Sequence, residues 1–306
     1  MWGYVFIFVT INVHFGGVNL MDRLPESINY HITERCNYCC KFCFARYQNH
    51  NKELSLKESL RLINILAENG CEKINFAGGE PTLIKHLPEL INYSKDLELF
   101  VSIISNGTRI DKKFLSKCGK SLDIIGLSID SSSDKIENKL GRCLKKYNSS
   151  NNSYSHINLI KNRVNLIKNF NIYLKINTTI TPLNWNDDLR EIILQLTPFR
   201  WKILEVHPIY GINDDFFKEF GKLDSWQFKS FIHRHSSLNP VWETSDMIMD
   251  SYCMITPDGC FFQDSYNYHH YSESILKFGA LENFNRLEFN QNKFKFRKGD
   301  YFKLKQ

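Results

Sequence analysis

From residue 26 onward, short β-branched or aromatic runs alternate with stretches of helical period, and that rhythm admits few folds. Strands are expected over 27–33, 73–76, 98–104, 123–129, 172–179 and 201–206. Between them, Ser55 can cap a helix that Glu58 closes as a capping box, with Leu60, Ile63 and Ala67 as its apolar stripe and Gly70 as its stop. Further helices are expected near 86–95, 111–118, 155–169 and 186–196, the clearest carrying Ile157, Ile160, Val164 and Ile167 on one face. Six βα units cannot close an eight-stranded barrel. The fold class is therefore α/β, an open, partial (βα)6 barrel of the TIM type with its site at the carboxyl ends of the strands. Residues 1–25 read as a leader, 26–207 as the partial barrel and 208–306 as a C-terminal extension covering the active site. Truncation after about residue 245 is expected to leave a folded core.

Immediately after the first strand come four cysteines in eight positions, Cys36, Cys39, Cys40 and Cys43. Cys36, Cys40 and Cys43 give a Cys-x3-Cys-x2-Cys frame, able to hold three irons of a cubane and leave the fourth without a protein ligand. Zinc is the alternative, since Cys36/Cys39 and Cys40/Cys43 are both Cys-x2-Cys pairs, but zinc sites usually separate their pairs so that a turn forms between them. Cys39 is expected to be a packed thiol, and Cys71, Cys118 and Cys143 to be scattered singles.

Strand alternation places Asn29, His31 and Thr33 on one face of the first strand, Lys73 and Asn75 on one face of the second, and Lys175 and Asn177 on one face of the fifth. Arg200 and Lys202 flank Trp201 on the sixth. Pointing inward, Lys73, Lys175, Arg200 and Lys202 would make an anion pocket fit for a polyphosphate; at strand ends they would pair with the outer helices instead.

Composition excludes other classes. The 306 residues carry 39 Lys+Arg against 33 Asp+Glu, a modest excess without a basic and aromatic run to track a nucleic acid. Nine cysteines, an odd number in so long a chain, point to reduced thiols in a cytoplasm rather than to a disulfide scaffold. The apolar run over 1–21 is interrupted by Asn12, His14, Gly16 and Gly17, too early to span a bilayer, and no basic segment precedes it.

The cysteine loop, with Phe42 before its last thiol, resembles that of the radical S-adenosylmethionine (SAM) superfamily. Gly78-Gly79-Glu80-Pro81 resembles that superfamily's turn for the SAM amine, and Ser105-Asn106-Gly107 its SAM-contacting turn. Asn29-Tyr30-His31-Ile32-Thr33, Lys73 to Pro81, Leu174-Lys175-Ile176-Asn177, Arg200-Trp201-Lys202 and Asp250-Ser251-Tyr252 narrow the resemblance to the viperin-like enzymes over about 26–306. The resemblance implies a [4Fe-4S] cluster on Cys36, Cys40 and Cys43, and SAM near Gly78, Gly79, Glu80, Asn106, Ser128 and Arg142. It implies a nucleoside triphosphate held by Lys73, Lys175, Arg200 and Lys202, with Asn29, Asn75, Asn177 and Tyr252 toward the nucleotide. Tyr252 is the candidate for the final hydrogen or for ribose contact. The product would be the 3'-deoxy-3',4'-didehydro nucleotide, a chain terminator in antiviral defence. An electron donor such as flavodoxin or ferredoxin, a monomeric state, and no nucleic-acid or membrane partner complete the expectation.

Two departures stand out: Ala77 occupies a position where animal viperins carry Ser, and the loop around 143–154 is longer than theirs. Two readings compete. Cys253-x6-Cys260 with Pro257-Asp258-Gly259 resembles a fragment of a peptide-modifying maturase's extension, although two thiols are too few for an auxiliary cluster. A zinc-stabilised nucleotide-binding module would keep the anion pocket and use the thiols structurally.

Overall fold

Ser55 opens the first helix as its chemistry requires. In the computed structural model, which describes residues 21–145, 154–299 and 302, the Glu58 N–H donates to Ser55 Oγ at 3.3 Å and Glu58 Oε2 accepts from the Ser55 N–H at 2.8 Å. This reciprocal pair satisfies donors that a helix start otherwise leaves orphaned. The helix, Leu56–Glu68, turns Leu62, Ile63 and Leu66 fully inward, while Leu60 and Ala67 sit at the margin. The stripe is thus rotated from the expected one, because Ser59 also faces the sheet, its hydroxyl 3.3 Å from the Tyr30 hydroxyl.

The strands are β1 (Ser27–Thr33), β2 (Lys73–Gly78), β3 (Phe100–Ser105), β4 (Ile124–Ser128), β5 (Tyr173–Ile180), β6 (Arg200–Glu205), β7 (Val241–Glu243), β8 (Cys253–Ile255), β9 (Cys260–Ser265) and β10 (Tyr268–Ser274). Among the described residues they form one sheet in the order β10-β9-β8-β1-β2-β3-β4-β5-β6-β7. Neighbours from β1 to β7 are parallel, β8 is parallel to β1, and β9 and β10 return antiparallel. The sheet is open, with β7 and β10 as its edges, so the architecture is the expected partial barrel.

Register separates two faces. Asn29 pairs with Asn75, Asn75 with Ser102, Gly126 with Lys175, Lys175 with Arg200, and Asn177 with Lys202. Asn29, Lys73, Asn75, Ser128, Lys175, Asn177, Arg200 and Lys202 therefore point to one side. The opposite side carries Ile28, Tyr30, Ile74, Phe76, Val101, Ile103, Ile125, Leu127, Ile176, Trp201 and Ile203, all buried in the main core. Burying these apolar side chains beneath the helices, at about 25 cal/mol per Å², holds the layers together.

The segment after residue 207 is part of the sheet itself. It adds β7 beside β6 and inserts β8 between β9 and β1, so β1, the strand that launches the cysteine loop, has a partner from the far end of the chain. Truncation after about residue 245 would strip β1 of that partner and open its buried flank, leaving β2 as its one neighbour in the sheet. Residues 21–25 also pack down: Leu24 is buried, and Met21 exchanges two hydrogen bonds of 3.0 Å with the Asn285 side chain. The rest of the expected leader, and most of the loop over 143–154, lie outside the described residues. Among the described residues no helix is long and apolar enough to cross a membrane.

Candidate active site

The cysteine loop leaves β1 through a bulge, where the register shifts between His31 and Thr33, and is then tied down mainly by its backbone. Cys39 N donates to Gly141 O at 3.3 Å, Lys41 N to Leu140 O at 2.9 Å and Lys145 N to Asn37 O at 3.0 Å. Phe42 inserts among Leu140, Val206 and Phe216, while Asn213 Nδ2 donates to its carbonyl at 3.1 Å. Cys36, Cys40 and Cys43 all stay half-buried, and Asn106 Nδ2 approaches Cys36 Sγ at 3.9 Å. Cys39 turns instead to Cys143.

The three thiols suit an iron–sulfur cluster better than one zinc ion. A zinc at about 2.3 Å from each sulfur would gather them to roughly 3.8 Å apart. Here the sulfurs of Cys36, Cys40 and Cys43 do not all come within 4.8 Å of one another. As thiols, burial pushes Cys36 up to about 11 and raises Cys40 and Cys43 as well.

The Gly-Gly turn abuts this loop. Gly78 has φ +127, and a Cβ there would stand 2.3 Å from Thr33 O; one on Gly79 would stand 2.3 Å from Arg35 O. Only glycine permits such an approach. Glu80 is completely buried, and burial raises its pKa against the pull of its hydrogen bonds. Its carboxylate accepts from Ser105 Oγ at 2.8 Å, Asn106 N at 2.8 Å and Thr82 N at 3.2 Å, besides a short bond from Thr82 Oγ1. It joins the turn after β2 to the turn after β3. Asn106 in turn donates to Asn37 Oδ1 at 2.8 Å, so both turns lean on the cysteine loop.

Ser128, at the end of β4, offers its carbonyl to His156 Nε2 at 2.8 Å, which leaves Nδ1 of a neutral ring to accept from the Tyr38 hydroxyl at 2.9 Å. His156 therefore couples the strand end to the cysteine loop. Burial lowers its pKa to about 3. Arg142 lies 5.6 Å from the Phe42 ring, bonded to Asp130 and 3.6 Å from Glu137. Burial opposes its charge, but Asp130, Cys40 and Glu137 outweigh that and raise its pKa.

Across the same face lies a row of cations. Lys73 is 4% exposed, and burial, with Arg200 and Arg297 nearby, pulls it down to about 7. Lys202, 5% exposed, is lowered to about 8 by burial, although Glu243 at 2.6 Å supports its charge. Tyr252 donates its hydroxyl proton to Glu243 and accepts from Lys202, and the Arg297 guanidinium lies 3.5 Å over its ring. Arg297 is itself held by Ser251 O, at 3.0 Å from Nε and 2.5 Å from Nη2. Lys175 and Arg200 are half-buried cross-strand partners on this face. The polar row continues through Asn75, which donates to Asn29 Oδ1 at 2.8 Å and accepts from Ser102 Oγ at 2.8 Å.

Arg297 and Glu243 escaped the sequence reading, because Glu243 ends a three-residue strand and Arg297 follows a short helix, neither long enough to show a period. Cys253 packs beside Cys71 and Cys260 beside Asp258, so the two late cysteines do not share a site.

The Radical SAM superfamily model matches residues 30–196, from β1 to the helix Arg190–Leu196. An S-adenosylmethionine-dependent nucleotide dehydratase of Lacinutrix mariniflava is 34% identical over 94% of this chain and 60% of its own length. A protein of that name from Flammeovirga pacifica is 34% identical over 92% of this chain and 97% of its own, and the S-adenosylmethionine-dependent nucleotide dehydratase RSAD2 of Oncorhynchus mykiss 34% over 95% and 84%. The chain belongs to the radical SAM superfamily and, within it, to the S-adenosylmethionine-dependent nucleotide dehydratase family. Solved structures share the fold at lower identity. SuiB of Streptococcus suis bound to precursor peptide SuiA superposes with a TM-score of 0.62 at 14% identity, covering 92% of this chain and 68% of SuiB. For anSMEcpe with bound AdoMet and a peptide, the values are 0.65, 17%, 88% and 83%.

Proposed function

We propose that this chain dehydrates a ribonucleoside triphosphate, CTP, UTP or GTP, to its 3'-deoxy-3',4'-didehydro analogue, a chain terminator in antiviral defence. The observation that carries the reading is the row of Lys73, Lys175, Arg200 and Lys202 on one face of β2, β5 and β6, with Arg297 beside it. So much positive charge on the buried side of a sheet suits a polyanion. Each charge-assisted hydrogen bond to phosphate contributes about 1.5 to 3 kcal/mol, and several offset the cost of desolvating the cations.

Cys36, Cys40 and Cys43 would hold the cluster, and Gly78, Gly79, Glu80, Asn106, Ser128 and Arg142 would line the SAM site. Bound there, cluster and SAM would supply the radical chemistry that removes the ribose 4' hydrogen. The chain's own part is placement. Cations fix the triphosphate, and Asn29, Asn75 and Asn177 face the ribose. Asn177 Oδ1 is buried without a hydrogen-bond partner among the described residues, an acceptor suited to a ribose hydroxyl. Tyr252, polarised between Glu243 and Lys202, would meet the nucleotide or return a hydrogen atom. The segment from β7 onward would seal the site from water. A small reductant protein such as flavodoxin or ferredoxin, a monomeric state and a cytoplasmic setting complete this reading.

The test is anaerobic incubation of cluster-loaded protein with SAM, dithionite and each of the four ribonucleoside triphosphates. 5'-Deoxyadenosine should form in step with a nucleotide lighter by one water. If no triphosphate raises 5'-deoxyadenosine above background, nucleotide dehydration is the wrong reading.

A further inference from the structure

The turn between β8 and β9 brings together three side chains that the proposed dehydration does not use. His50 lies just beyond the cysteine loop, while Asp258 and Cys260 frame the turn. The ligand atoms of His50, Asp258 and Cys260 lie within 4.8 Å of one another, with His50 Nδ1 at 3.0 Å from Asp258 Oδ2. Among the described residues no other group of three or more His, Cys, Asp or Glu side chains meets that limit. We propose that these three residues form a second metal site, for a single zinc ion that pins the β8–β9 turn to the loop leaving the cysteine loop.

The donor set selects the metal. One imidazole nitrogen, one carboxylate oxygen and one sulfur are the ligand types zinc accepts, whereas calcium and magnesium require oxygen. A tetrahedral zinc holds such atoms roughly 3.3 to 3.6 Å apart, so Nδ1 and Oδ2, at 3.0 Å, would part slightly while all three ligand atoms already lie within 4.8 Å. Binding at Nδ1 moves the imidazole proton to Nε2, and the metal displaces and releases the thiol proton.

The ligands are already oriented. Asp258 Oδ1 accepts from Thr256 Oγ1 at 2.6 Å, which leaves Oδ2 for the metal. Thr256 Oγ1 also takes the Cys260 N–H at 3.0 Å, and Gly259 closes the turn with φ +82. The His50 ring is stacked on Tyr271, centroids 4.4 Å apart and planes at 22°. Leu54 N donates to Pro257 O at 3.1 Å, which already docks turn on loop. Cys260 is buried, while the side chains of His50 and Asp258 are 25% and 24% exposed, so the fourth coordination position opens toward water.

The site shares no residue with Cys36, Cys40 and Cys43, and that independence makes it testable. Cluster-loaded protein, freed of loose metal, should take up one zinc per chain without losing iron when dialysed anaerobically against zinc and desalted. His50→Ala and Cys260→Ser should weaken zinc binding by on the order of 100-fold or more and so lose it on desalting, with iron unchanged. Because Cys260→Ser alters a buried position, His50→Ala also serves with cobalt as the probe: a cobalt–thiolate absorption band should appear in the unaltered protein and vanish in the variant. Zinc retained by His50→Ala, zinc gained only as iron is lost, or cobalt bound without a thiolate band would each overturn the proposal.

Discussion

The two ends of the polar sheet face are built by different means. At the cofactor end, contiguous motifs are joined largely through main-chain groups: the Gly79 N–H donates to Thr33 O, the Glu80 N–H to Arg35 O, and the Glu80 carboxylate accepts from the Asn106 N–H. At the substrate end, single side chains converge from β2, β5, β6, β7 and the residues around 252 and 297. A backbone-built site is intolerant of added atoms, while a side-chain-built site is intolerant of lost charge. Substitutions should therefore fail in different currencies at the two ends.

The largest effect should come from the thiols. Cys36→Ala, Cys40→Ala or Cys43→Ala should abolish both bound iron and SAM cleavage, while Cys39→Ala, whose thiol sits beside Cys143, keeps most of each. Iron analysis with 5'-deoxyadenosine formation reads both, and equal loss in Cys39→Ala would mean the wrong thiols are assigned.

Next are the cations. Arg200→Ala or Lys202→Ala should cost about 2 to 4 kcal/mol of nucleotide binding, roughly 30-fold to 1000-fold in affinity, with iron content unchanged. Calorimetric titration with a non-reacting triphosphate analogue measures this. An unchanged Kd would remove the phosphate role of this face.

Gly79→Ala should sharpen the contrast from the other side. Its Cβ would press to 2.3 Å from Arg35 O, so the turn must shift at a cost of roughly 1 to 3 kcal/mol. SAM binding should weaken and triphosphate binding should not. Equal damage to both ligands would show that the two ends are one cooperative unit.

A separate effect, on stability rather than on a ligand, is in pH. His31 and His156 are each lowered from 6.5 to about 3 by burial, so the folded protein keeps them neutral while the unfolded chain takes up the protons. Their contribution to stability is complete above about pH 6.5 and is lost as pH falls toward 3, at about 1.4 kcal/mol per pH unit for each. Urea midpoints between pH 6.5 and 4.5 should fall accordingly, and His156→Phe should roughly halve the slope. A slope unaffected by that substitution would mean that other groups govern the acid limb.

What could be read from the sequence follows the same division. Cys36, Cys40 and Cys43 and the Gly-Gly turn are contiguous, and the six strands announced themselves by alternation, with β1 spanning the same residues as expected. Strand parity also set Lys73 beside Asn75, Lys175 beside Asn177 and Arg200 beside Lys202 within their strands, while the register between strands brings β5 and β6 to a common face. Glu243 and Arg297 were not legible, because a three-residue strand and a short helix end carry too little period to fix a face. Nor was the place of β8, since nothing local to Cys253–Ile255 records that its partner is Ile28–Tyr30.

That pairing has a consequence for biosynthesis. Ile28 meets Cys253, so an emerging chain completes β2 to β7 while one edge of β1 still presents unpaired main-chain groups. More than two hundred residues separate the partners, and closing so long a loop is slow. Until β8 arrives, that bare edge is a template for pairing with another chain, and the same strand launches the loop that must receive iron. Cells making this protein faster than it can finish its sheet should accumulate aggregates that lack metal, and slower synthesis in the cold should recover it.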